Sequence, residues 1–123
     1  MRVLVIDAAN VIGSRPDGWW KDLPGAAGRL HRALVAADLA YDLTVLVLEG
    51  RAQPGVPEGE EGSVRTIHAS GSGDDAVVEA CESYAESEAE ITLATADRGL
   101  ISRVKLFGLE VLGPRTLRDE IGM

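Results

Sequence analysis

Arg2-Val3-Leu4-Val5-Ile6-Asp7 is the stretch from which the rest of the chain is read: four consecutive apolar residues closed by an acid. A continuous apolar run of this length suits a strand buried on both faces, as parallel sheets require. The same arrangement recurs. Val64 to His68 passes through Gly71-Ser72-Gly73 into Asp74-Asp75, and Ile91 to Ala94 is followed by Asp97. In open parallel α/β sheets the crevice lies outside the carboxyl ends of the strands, so acids distant in sequence are expected to converge there. No lysine stands beside them. Carboxylates brought together without a cation repel one another, which points to magnesium or manganese between them.

Outward from that run, helical and strand patterns mostly alternate. Leu23, Ala27, Leu30, Leu34 and Ala37 predict an amphipathic helix within Trp19 to Asp38, with Pro24 near its start. Leu43 to Leu48 reads as a central strand running into Glu49-Gly50-Arg51. A polar, Gly/Pro-rich connection at Pro54 to Gly62 shows no helix and is read as a loop beside the crevice, a candidate substrate flap. A second helix is expected from Asp74 to about Ser87, and a third carries Leu100, Ile101, Val104 and Leu106 and stops at Gly108. Leu109 to Leu112 is a last strand before a closing turn of helix around Thr116 to Glu120. The expected fold is one α/β domain over residues 1–123: three layers, a mainly parallel sheet of about five strands, and helices on both faces.

Composition agrees with that layering. Hydrophobic residues make up 46% of the 123, only five are aromatic, and the core must therefore be built of Val, Leu, Ile and Ala. The net charge of −8 argues against gripping nucleic acid through bulk electrostatics. It leaves a nuclease open, because metal ions neutralise acids locally. Cys81, the single cysteine, lies in an Ala/Val-rich segment and reads as a small buried hydrophobe, which suits a reducing cytoplasm. No apolar stretch approaches membrane-spanning length, so no membrane association is expected.

Each acid has a purely structural reading as well. Asp7 and Asn10 could satisfy turn amides. Ser72 with Asp75 forms a capping-box pattern, and acids are favoured at helix amino ends anyway. Asp97 could simply cap the next helix. Two successive aspartates exceed what capping needs, and Asp75, nearer the helix body, is the expected ligand of the pair. His68 at a strand end reads as structural, and histidines and cysteines for a zinc site are lacking. Arg51, Arg98 and Arg115 all follow strands and could meet substrate phosphates, with Ser72 a further polar contact.

Three stretches resemble the NYN domains of the PIN-like ribonuclease superfamily: Val3 to Gly13 (VLVIDAANVIG), Gly71 to Val78 (GSGDDAVV) and Ala94 to Leu100 (ATADRGL). Leu112 to Arg118 (LGPRTLR) is similar to the closing segment of the same group. The resemblance spans almost the whole chain in motif order. It implies a Rossmann-like sheet and metal-dependent hydrolysis of RNA phosphodiesters. Asp7, Asp75 and Asp97 would hold Mg2+ or Mn2+, with Asp74 assisting, Asn10 accompanying Asp7, and Arg98 at the polar position after the last acid. Ala8-Ala9 stands where related domains carry Gly-Tyr or a similarly bulky pair. A chain of this size lacks appended RNA-binding elements, so a homodimer or a protein partner is the expected source of them. The alternative is a catalytically silent module that binds RNA or a protein on the same scaffold. A phosphoacceptor domain would need a lysine after the last strand, where this chain has Gly113-Pro114-Arg115.

Overall fold

The computed structural model describes residues 1–123. Its elements in chain order are β1 (Arg2–Asp7), α1 (Ala8–Ile12), α2 (Leu23–Ala36), β2 (Leu43–Leu48), β3 (Gly59–Glu61), β4 (Val64–His68), α3 (Gly73–Glu86), β5 (Glu90–Ala94), α4 (Arg98–Val104), β6 (Glu110–Leu112) and α5 (Pro114–Glu120). Short 3₁₀ turns occupy Trp19–Lys21, Gly50–Gly55 and Lys105–Phe107.

The six strands form one sheet in the order β3-β4-β2-β1-β5-β6, parallel throughout except for β3, which runs antiparallel to β4. From β1 the chain winds outward through β2 to β4, then returns to the other side of β1 for β5 and β6. The reversal lies between β1 and β5, and a doubly wound sheet opens its crevice at such a point.

Alternation along β1 builds two cores. Leu4 and Ile6 join Leu46, Leu48, Leu30, Leu34 and Leu117 beneath α1, α2 and α5. Val3 and Val5 face the other way, against Val77, Cys81, Leu100 and Val104 of α3 and α4. Helices thus cover both faces, as the buried parallel strands require. Burial pushes the Cys81 thiol up to about 12, in keeping with an inert packing group.

Three details differ from the sequence-based expectation. The Gly/Pro-rich connection is structured: a 3₁₀ stretch runs over Gly50–Gly55, and Gly59–Glu61 forms β3, a charged edge strand with no apolar residue to announce it. The free flap expected there is therefore a hairpin, and His68 helps to fasten its approach, with Nε2 2.7 Å from the Val56 carbonyl oxygen. Second, Ala8–Ile12 is helical directly from the end of β1, where a loop was expected. Third, α2 begins at Leu23, because the Asp22 side chain accepts from the Gly25 amide (3.0 Å) and Trp19–Lys21 forms its own 3₁₀ turn. Gly108 ends the α4 region as expected, in the left-handed conformation that a side chain would strain (φ 70°).

Candidate active site

Parallel pairing of β1 with β5 matches Ile6 to Ala94, which brings the next residues, Asp7 and Thr95, side by side at the carboxyl edge. Thr95 Oγ1 donates to Asp7 Oδ2 (2.9 Å) and accepts from the Asp97 amide (3.1 Å). That one hydroxyl joins both acids. Asn10, in the first turns of α1, accepts from the Ala96 amide through Oδ1 (2.8 Å) and so fastens α1 to the loop carrying Asp97.

Asp7 is only 6% exposed. Burial holds its carboxyl above the ordinary range; the Thr95 hydroxyl and the Asn10 amide (3.4 Å) pull it down, while Asp74 and Asp97 push it further up. Asp74 is also held high, by burial first, then by Asp97 and Glu49, with Arg103 opposing. Asp74 and Asp97 thus act on Asp7 from the segments that follow two other strands, β4 and β5.

The capping roles anticipated from sequence are present too. Asp97 Oδ1 accepts from the Leu100 amide (3.0 Å) at the start of α4, and Asp7 begins α1. A cap is worth about 1 kcal/mol and occupies one oxygen. It leaves the second oxygen of Asp97 free, and it does not account for burying Asp7 among other acids.

Within the helix-start pair the two acids have different surroundings. Asp75 is exposed and tied to Arg103 (2.7 Å), and its backbone amide is capped by Ser72 Oγ (3.3 Å). Asp74 is the member that shares the field of Asp7 and Asp97. Ser72 is thereby a helix cap. Arg51, Arg98 and Arg115 are exposed on the crevice side of the sheet without ion-pair partners.

Two contributors were not singled out from the sequence. Glu49, at the end of β2, accepts from the Gly73 amide through Oε2 (2.8 Å). A Cβ at Gly73 would stand 2.6 Å from the Glu49 carboxyl carbon, so the glycine is what lets β2 and α3 meet there. An acid after a Val/Leu run followed by glycine was the available signal. The second is Arg118, 4% exposed, which donates to the carbonyls of Val11 (3.2 Å) and Ile12 (3.1 Å) and to Ser14 Oγ (3.0 Å). It closes the carboxyl end of α1 from below.

No three carboxylate, imidazole or thiol groups stand close enough to cage an ion by themselves. The arrangement fits a hydrated magnesium or manganese ion held through one or two carboxylates, the usual habit of magnesium. It does not fit a preformed multi-carboxylate cage.

No family model matches this chain, and no curated protein matches it. Among solved structures, the crystal structure of a mutant form of Rae1 (YacP) from Bacillus subtilis superposes with a TM-score of 0.74 at 18% identity, covering 99% of this chain and 76% of that one. The likeness fixes the fold as α/β with a mostly parallel sheet. No helix is long and apolar enough to cross a membrane.

Proposed function

We propose that this chain is a metal-dependent ribonuclease whose active centre is Asp7, Asp74 and Asp97, ordered by Asn10 and Thr95. The observation that carries the reading is a buried carboxylate with like-charged neighbours and no cationic partner: Asp7 is enclosed, and the charges acting on it are those of Asp74 and Asp97. Such an arrangement is costly to the fold and becomes favourable when a divalent cation is shared.

In this reading Asp7 and Asp97 hold the cation, and Asp74 assists. Asp75 is reassigned to orienting α3 through Arg103. When bound, Mg2+ or Mn2+ supplies Lewis acidity at the phosphoryl oxygens and lowers the pKa of water. The chain itself orients the carboxylates, through the Thr95 hydroxyl and the Asn10 clamp, and offers Arg51, Arg98 and Arg115 to the phosphate backbone. The resemblance of the motifs to NYN domains supports RNA as the substrate, and the Rae1-like fold supports the scaffold on which that site is read.

The test is cleavage of a labelled single-stranded RNA under manganese titration. Asp7→Asn and Asp97→Asn are each expected to reduce cleavage about 100-fold or more, since metal stabilisation of the transition state is worth several kcal/mol. Asp75→Asn should cost far less. Cleavage that survives both substitutions and excess chelator defeats the proposal.

A further inference from the structure

Of the three acids in the crevice, Asp74 alone is not held by a hydrogen bond of its own. Asp7 has the Thr95 hydroxyl and the Asn10 amide, and Asp97 has the Leu100 amide. Asp74 is half-buried, with neither a hydrogen-bond donor nor an ion-pair partner on its carboxylate. Where that carboxylate stands is therefore set by the first turn of α3. The turn is sparsely attached. Ser70, Gly71 and Ser72 before it are exposed and hydrogen-bond to no other element, and the buried side chains of α3 begin only at Val77.

Two polar contacts tie the turn down. One is the pair between Arg103 and Asp75, whose side chains are 46% and 63% exposed, and ion pairs so open to water contribute little. The other is Glu49. Its Oε2 accepts from the Gly73 amide at 2.8 Å, and its carboxyl carbon would stand 2.6 Å from a Cβ at that position. An amide in the first turn of a helix has no acceptor within the helix, and a carboxylate suits both the N–H and the helix dipole. Gly73 is buried, which leaves little room for water to take the place of Glu49.

We infer that Glu49 is the positioning residue for Asp74: by holding the Gly73 amide to the end of β2, it fixes the first turn of α3, and with it the Asp74 carboxylate, against the sheet that carries Asp7. Glu49 then acts through Asp74 and not on the ion itself. The choice of ion rests on the ribonuclease reading of these acids, so the test carries a second readout that does not.

Mn2+ binding, followed by the EPR signal of the free ion with no RNA present, is compared across variants. Glu49→Ala should weaken binding about tenfold, the lower end of what losing a residue that orients a ligand costs. Glu49→Gln keeps a carbonyl oxygen for the Gly73 amide and should stay within about threefold of the wild type. Gly73→Ala crowds the carboxylate from the other side and should match Glu49→Ala. Asp74→Asn should lose as much, and adding Glu49→Ala to it should cost nothing further, because residues that act through one carboxylate are not additive. Losses that multiply in the double variant, or Glu49→Gln as weak as Glu49→Ala, show Glu49 acting on the ion directly and overturn the inference. Wild-type affinity in Glu49→Ala overturns it too. In chelator, hydrogen exchange at the Gly73 amide should quicken about tenfold in Glu49→Ala and not in Glu49→Gln, while amides beyond Val77 keep their rates. Unchanged exchange at Gly73 is a further defeat. A wild-type protein that binds no Mn2+ while this amide loosens as expected sinks the ribonuclease reading and leaves Glu49 as the residue that sets Asp74.

Discussion

Asp7 and Arg118 lie at opposite ends of α1, and both are almost wholly buried ionic groups, yet their surroundings differ in kind. Arg118 is satisfied: two helix-end carbonyls and a hydroxyl accept from it, and Asp17 stands 3.8 Å away. Burial lowers its pKa, and Asp17 only partly acts against that. Asp7 has the Thr95 hydroxyl at 2.9 Å, the Asn10 amide at 3.4 Å and otherwise the field of other acids. A buried charge surrounded by partners serves the fold. One surrounded by its own sign is held in place by the fold at a cost, which is the pattern of a functional site.

The largest expected effect tests the structural half of this contrast. Arg118→Met should destabilise the protein by about 3 kcal/mol, because it strands the carbonyls of Val11 and Ile12 in the interior; chemical denaturation measures it, and a loss below about 1 kcal/mol would remove the distinction. Asp7→Asn should act in the opposite direction. The folded-state pKa of Asp7 lies above the ordinary 3.8, so its contribution to stability is full below that value and is lost as pH rises through the folded value. In chelator the variant should therefore melt higher than wild type at pH 7, with the gap closing toward pH 3, and Mn2+ should raise the melting temperature of the wild type only. Thr95→Val should cost about 1–2 kcal/mol, since one hydroxyl serves both Asp7 and the Asp97 amide. The smallest effect concerns a buried polar group with no partner at all, the Thr66 hydroxyl on β4. Thr66→Val should stabilise by about 0.5–1 kcal/mol on the same denaturation assay.

The parallel frame was legible because its strands are apolar runs broken by no more than one threonine: Val3–Ile6, Leu43–Leu48 and Ile91–Ala94 can be buried in few other ways. What escaped the reading depends on contacts rather than pattern. Gly59–Glu61 has no hydrophobic residue and becomes a strand only because β4 lies beside it. Ala8–Ile12 is too short for periodicity and is helical because Asp7 starts it and Arg118 closes it. The choice between Asp74 and Asp75 could not be made from adjacency along the chain. What separates the two is Arg103, 28 residues further on, which pairs with Asp75 and not with Asp74. Glu49 was passed over for a similar reason, since only the approach of Gly73 brings it to the acids.

The hairpin that replaced the expected flap also governs how molecules of this protein meet. By laying Glu60 and Glu61 along the outside of β4, it ends that margin of the sheet in a three-residue, negatively charged strand, a poor template for a neighbouring chain. Lateral growth by strand addition is left to β6 at the far margin, itself only three residues long. The sheet is thus guarded against runaway stacking at both borders by brevity, and at one of them by electrostatic repulsion as well.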